Sequence, residues 1–527
     1  MSLEGEKDLT ALDWSDPTET NYVSILNKPE WGNFDLGIGA MAEGYNTRAA
    51  YMAAHAEGRD SKALSEYAHA EGRLTLATGV AAHAEGLRSY ATGSQAHAEG
   101  RDTLASGTYG SHAEGYQTQA LSRYSHAEGR STMAGVTNDA DSGGLCAHAE
   151  GNKTQALGDF SHAEGANTTV LGVGSHAEGG GTSAGGSYAH AEGYLTLTTD
   201  RYAHAEGRQT IASGESSHAE GEVSTASGIA AHAEGQQTTA SGKYSHAEGS
   251  VTKAIGDKSH AEGYETIAKS VYSHAEGYKT YALGERSHSS GYSNKSLEEL
   301  GLTINSATDV IEDTWLNANK DNAFNAALGL GSHTEGRNTL SSGRAAHSEG
   351  RGSYAKGEYS HAEGNRGNAY QIGCHAEGEN TQAGKLPEDV TEGDTNTGRY
   401  SHAEGSNTKA LGNYSHAGGS SSKAQGIASF AHGQTVIATE ASQAVFGKYN
   451  QEKTGALFII GNGTGPASNK RHNAFEVLDT GAANLNNLPV ANYGYGGLIQ
   501  FGTCDTPEEA LRAGEITENC QIYIKLA

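Results

Sequence analysis

The sequence predicts an all-β fold, an elongated parallel β-solenoid built from fourteen-residue coils. Three observations lead there. The tetrapeptide His-Ala-Glu-Gly recurs verbatim nineteen times, from His55-Ala56-Glu57-Gly58 to His402-Ala403-Glu404-Gly405. The step between copies holds at fourteen residues without a slip from His148 to His288, and a short fixed period means one unit stacked on copies of itself. The 73 glycines, against only 6 prolines, fall as regular punctuation and not as a disordered Pro/Gly tract.

Take Tyr202 to Gly214 as the unit. Strand alternation puts Tyr202, His204 and Glu206 on one face and Ala203 and Ala205 on the other. Gly207 is expected to make the first turn and Gly214 the second. Between them Thr210 and Ala212 share a face, and Ile211 points the opposite way. From repeat to repeat the positions of Ala203, Ala205, Thr210 and Ala212 stay small. That of Ile211 varies freely, through Lys62, Tyr90, Gln119, Thr239, Lys253 and Tyr281. Small and constant predicts the inside of a narrow coil; variable predicts solvent. Two glycine turns leave two short strands per coil, hence a flat two-sheet solenoid.

The His-x-Glu face points out of the coil yet is as invariant as the inside, which predicts a surface shared with copies of the same chain. An alanine-sized interior buries too little apolar area to stand alone, so a closed homo-oligomer is expected. Its axis would be lined by residues such as His162, Glu164, His204, Glu206, His246, Glu248, His274 and Glu276. Protonating the glutamates would leave stacked imidazolium ions without counter-charge, so stability should fall below about pH 4.5.

Residues 1–36, with Trp14, Tyr22 and Trp31, form a non-repetitive lead-in. Residues 37–435 carry the array, with insertions near 134–145, 292–330 and 384–398. In the largest, helical spacing with acidic residues early predicts a helix from Ser306 to Ala327. It is expected to project sideways, with Trp315 and Phe324 as candidate contact residues. Residues 436–480 become β-like at 456–461 and 473–477 and read as a closing region. Residues 481–527 form a terminal module with a short acidic helix near Pro507. Its Tyr493 and Tyr495 lie among glycines, a composition that recognition surfaces favour.

Composition excludes several classes. The net charge of −27 argues against binding nucleic acid by phosphate neutralisation and against a polybasic membrane contact. No run of about 18 apolar residues is present. Residues 1–7 show neither a basic nor an apolar leader region, so no secretory signal is expected. Cys146, Cys374, Cys504 and Cys520 have no metal-ligand spacing. The first two sit just ahead of repeat histidines and read as small buried substitutes, compatible with assembly in a reducing cytoplasm.

Residues 37–435 resemble the head repeats of trimeric autotransporter adhesins, the YadA-like left-handed parallel β-roll. That family's Ser-Val-Ala-Ile-Gly is matched position for position by Ser245-His246-Ala247-Glu248-Gly249. The resemblance implies a homotrimer with His246 and Glu248 at the threefold axis, where the family places Val and Ile. The ends point elsewhere. No coiled-coil stalk or β-barrel anchor is recognisable, whereas Tyr22-Val23-Ser24-Ile25-Leu26-Asn27-Lys28-Pro29 looks like segments near joints of phage tail fibres. Leu457-Phe458-Ile459-Ile460-Gly461-Asn462-Gly463 with Asn473-Ala474-Phe475-Glu476-Val477 is similar to the segment closing many phage fibre heads.

His-x-Glu offers metal-ligating chemistry, but a site needed once would not be written two dozen times, so hydrogen bonding is expected and no metal. The acidic stretch 138–142 lacks EF-hand spacing. The threonine file of Thr196, Thr210, Thr238, Thr252, Thr266 and Thr280 falls inside by parity, against an ice-binding face. No nucleophile–base motif or phosphate loop is visible, and neither enzyme activity nor a cofactor is expected. The expected role is a tail fibre or receptor-binding protein of a bacteriophage, located on the virion tail and made in the host cytoplasm. Its partners would be itself, tail or baseplate proteins at the N-terminus, and a host-surface polysaccharide or protein met by residues 481–527. The alternative is a bacterial cell-surface adhesin of the trimeric autotransporter type.

Overall fold

The computed structural model describes residues 38–136, 144–304, 324–485, 488–491 and 500–501. The described chain is β-structure with three single 3₁₀ turns, in two compact units, residues 1–237 and 238–527. Among the described residues no helix is long and apolar enough to cross a membrane.

In the first unit, fourteen five-residue strands run from Met41–Tyr45 to His232–Gln236 and alternate with two-residue strands such as Lys62–Ala63. Each long strand pairs in parallel with the next, like residue on like residue: His55 on His69, Ala56 on Ala70, Glu57 on Glu71. The two-residue strands pair likewise, Lys62 on Leu76 and Ala63 on Ala77. The result is the flat two-sheet coil that the period predicts. Its interior is almost pure alanine, and Val170 is the single larger side chain in the unit's buried apolar cluster. Ala205, Thr210 and Ala212 are fully buried, while Ile211 stays exposed. Where serine takes the threonine place its hydroxyl donates to the next coil, as from Ser61 to the carbonyl of Gly72 at 3.0 Å. All six threonines of the predicted inner file are buried.

The turns are made differently from the sequence expectation. Gly207 has φ +104° but lies within the strand His204–Arg208, and the left-handed turn residues are Gln209 (φ 56°) and Ser216 (φ 56°). What glycine supplies is room: a Cβ on Gly207 would overlap the carbonyl oxygen of Gly221, and one on Gly214 that of Gly228. Tyr202 likewise sits in a turn, at φ 58°, and is 55 % exposed. It therefore does not share the strand face of His204 and Glu206. Cys146 is another left-handed turn residue and is exposed. Only Cys374, one position closer to its histidine, is the buried substitute expected of both, with its thiol 3.0 Å from the carbonyl of Gly398.

The second unit repeats the coil from Thr239–Ala240 to Ala444–Lys448. The pattern continues past residue 435 because Ala431, Val445 and Ile459 keep the inner position. Insertions do not disturb register: His126 pairs with His148, His288 with His333, and His375 with His402. Ala456–Asn462 adds one more parallel strand, and the direction then reverses through Asn473–Leu478, Ala483–Leu485, Leu488–Ala491 and Gln500–Phe501, all antiparallel.

The described ends of the largest insertion pack against the coil, while its middle, residues 305–323, where projection was expected, lies outside the described residues. Leu297, Ile304 and Phe324 pack with Tyr281, Leu283, Leu340 and Tyr354 against the short-strand sheet. Tyr281, at a position read as solvent-facing, is thereby only 2 % exposed, and its hydroxyl accepts from the Leu297 amide at 3.2 Å. Burial pushes that phenol far above its ordinary range. Ser296 and Glu299 exchange hydrogen bonds in the manner of a capping box, and Lys279 bridges Glu299 and Glu265 at 3.1 and 3.5 Å. The predicted helix falls mostly outside the described residues, and its last residues, Asn325–Ala327, form a strand instead. Phe324 is 2 % exposed and is a core residue, not a contact residue. Phe324→Ala should destabilise this docking by about 3 kcal/mol, seen as early protease cleavage between residues 293 and 330 with the coils intact; uncut protein would mean that the ring holds nothing.

Candidate functional site

The outward face of the long strands is the most repeated chemical feature of the chain. Register places each histidine directly on the next, so the imidazoles stack with centroids 4.6–5.0 Å apart, as from His55 to His69 and from His176 to His190. His162, Glu164, His204 and Glu206 belong to this ladder in the first unit, and His246, Glu248, His274 and Glu276 in the second. Nε2 lies 3.7 Å from the carboxylate two residues on at His162 and His204, and 3.6 Å at His246. The glutamate also reaches the following coil, with His416 3.3 Å from Glu404 and His288 3.6 Å from Glu276. Most of these separations exceed hydrogen-bond range. Within one chain the Nε2 atoms of His162, His204, His274 and many others are buried without a hydrogen-bond partner, although the side chains are only half-buried.

This environment sets the charges. Burial first, and then the neighbouring imidazoles, hold His69, His162, His204, His274 and His375 below the ordinary histidine range. Between coils the carboxyls share protons. Hydrogen bonding to Glu114 pushes Glu99 up to about 7, hydrogen bonding to Glu150 does the same for Glu128, and Glu114 is pulled down in return. From Glu71 to Glu128 the carboxyls are thus raised and lowered in turn, Glu71, Glu99 and Glu128 up and Glu85 and Glu114 down, as in a row of like groups too close to be charged together.

Triads such as His69, Glu71 and His83 bring three ligating atoms within 4.8 Å of one another. The rings of His69 and His83 are parallel to within 2°, however, so their in-plane lone pairs run side by side and do not converge on one point. An ion on this ladder would take one imidazole and its flanking carboxylates. The acidic stretch 138–142 lies outside the described residues, as do Trp315, Tyr493 and Tyr495.

Sequence reasoning passed over a second outward file, the residue that follows each His-Ala-Glu-Gly. In the first unit it reads Tyr45, Arg59, Arg73, Leu87, Arg101, Tyr116 and Arg130, in register from coil to coil. Its signal was the recurrence of Arg and Tyr immediately after the glycine. A third file, in the turns, carries exposed tyrosines, with Tyr188 stacked on Tyr202 at 5.6 Å.

Comparison with known families finds one match. The model of the YadA head domain repeat (2 copies) matches residues 84–109, 205–231 and 221–245, and each matched segment spans successive coils of the ladder. The chain thus carries YadA-like head repeats folded as a parallel β-solenoid. No curated protein matches it.

Proposed function

We propose that this YadA-repeat chain, an adhesin-like protein of an exposed surface, is the homotrimeric fibre of a phage or phage-like particle, with a mechanical and adhesive role and no catalytic one. The observation that carries the reading is the repeat itself, since domains of this family are generally homotrimeric surface adhesins. Two features of the coil support self-association: an interior of alanines, and a half-buried ladder in which the Nε2 atoms of His162, His204 and His274, among others, find no hydrogen bond within one chain. A second copy supplies apolar cover and hydrogen-bond partners together. The antiparallel strands after Ala456–Asn462 coincide with the segment similar to phage fibre heads and support the fibre over a cell-anchored adhesin. Tail or baseplate proteins are then the partners of residues 1–36, and a host receptor is the partner at the other end.

Mass measurement of the purified full-length chain should return three copies, and a monomer would remove the architecture. Antibody labelling in electron micrographs should place the protein on particle tails. Label on bacterial envelopes would favour the alternative, a cell-surface trimeric adhesin.

A further inference from the structure

The file that follows the glycines is unusual in a chain of net charge −27. Over six coils of the first unit it gathers Arg59, Arg73, Arg101 and Arg130, and Arg88 stands in the adjoining turn. Arg59 and Arg73 are direct cross-strand neighbours, an arrangement of like charges that destabilises a sheet. Two aspartates answer the five arginines. Asp60 lies 3.4 Å from Arg59, and Asp102 lies 2.6 Å from Arg88 and 3.4 Å from Arg101. Among the described residues Arg73 and Arg130 have no carboxylate within 4 Å, and no ladder glutamate comes that close to any arginine of the file. Tyr116 lies between two guanidinium groups, 5.3 Å from Arg101 and 6.0 Å from Arg130. The guanidinium of Arg59 is mostly in solvent, its side chain 60 % exposed.

We propose that this file binds a carboxylated polysaccharide, which rests on the adhesive reading above. One carboxylate would meet one arginine, whereas a chain carrying carboxylates at intervals meets successive coils and gains avidity from each. Asp60 and Asp102 accept hydrogen bonds from sugar hydroxyls, and Tyr45 and Tyr116 give the rings apolar edges. A phosphodiester chain offers the aspartates no comparable donors, and the overall negative charge opposes it. Binding would lie along the coils, where sequence reasoning placed only a uniform shaft.

The test uses full-length protein on a biosensor with polygalacturonate, neutral dextran and single-stranded DNA as probes. Polygalacturonate should bind at least tenfold more tightly than either other probe and weaken with added salt. R73E/R101E/R130E should lose at least tenfold of that binding with an unchanged number of copies in the assembly and an unchanged melting temperature. Equal binding by the variant, preference for DNA, or no binding by the parent overturns the proposal. A changed number of copies in the assembly also overturns it, because the file would then be a contact between copies. If the glutamate variant does not fold, R73Q/R101Q/R130Q takes its place, and undiminished binding by it counts against the proposal. Antibody labelling away from particle tails would remove the fibre reading and leave this result standing.

Discussion

Gly207→Ala is expected to destabilise the first unit by about 3 kcal/mol or more, while a control, Gly331→Ala in the second unit, costs about 1 kcal/mol. Both glycines have positive φ, +104° and +65°. They differ in what a methyl group meets. At Gly331 nothing lies within 4 Å, but at Gly207 the new carbon runs into the backbone of Gly221, one coil on. The strand of Gly221 is paired in parallel with that of Gly207 on one side, Ala205 on Ala219 and Arg208 on Glu222, and with that of Gly235 on the other, so it has nowhere to retreat. Gly214→Ala isolates the contact term, because Gly214 meets Gly228 in the same way without a positive φ. Thermal melts of the three variants decide the matter. Equal losses at Gly207 and Gly331 would mean that conformation alone matters and that coils do not pack backbone on backbone.

Acid should unfold the protein from a higher pH than carboxylates alone would set. Fourteen ladder histidines, among them His69, His83, His97, His126, His162 and His176, are held below their ordinary range, chiefly by burial. For such a group the unfolded chain takes up its proton first. The stabilisation is complete above about pH 6.5, the unfolded histidine value, and is lost as pH falls through that window. Glu99 and Glu128, raised to about 7 first by hydrogen bonds to neighbouring glutamates and then by burial, and Glu71, raised first by burial, act in the opposite sense, favouring the fold below their unfolded value and losing that contribution as pH rises through their raised values. Three such groups do not offset fourteen. The onset therefore moves up from the pH 4.5 that glutamate protonation alone predicts. The melting temperature should drop by about 10 °C between pH 7.5 and pH 5.5. A flat profile over that interval would mean that the imidazoles are solvated and not stacked.

Parity made the coil interior legible. Ala203, Ala205, Thr210 and Ala212 are where period-two counting puts them, because nothing competes with the strand between two like neighbours. Parity failed at Tyr202, where the backbone leaves the strand through a left-handed residue that is not glycine. A side chain gives no warning of such a conformation. Gly207 and Gly214 were recognised as obligatory but for the wrong reason, since spacing along one chain does not reveal that two backbones meet. Tyr281 was misread for a related cause: its neighbours in sequence say solvent, and the cover arrives from an insertion that supplies Leu297, Ile304 and Phe324. The His–Glu ladder was visible as a pattern. Its proton sharing depends on the coil-to-coil approach of Glu99 and Glu114, which only register supplies.

Register has a genetic consequence as well. Within either unit, coil meets coil through identical pairings, and an insertion between His126 and His148, or between His288 and His333, leaves the pairing of its neighbours unchanged. Any two copies of His-Ala-Glu-Gly are therefore equivalent crossover points. Unequal recombination between the repeated codons would delete or duplicate whole fourteen-residue blocks and join surfaces that already fit. Length in such a lineage would change mainly by whole coils, and the fifteen-residue step from His97 to His112, with Ala98 still on Ala113, shows that a turn can take up one extra residue while the strands keep register.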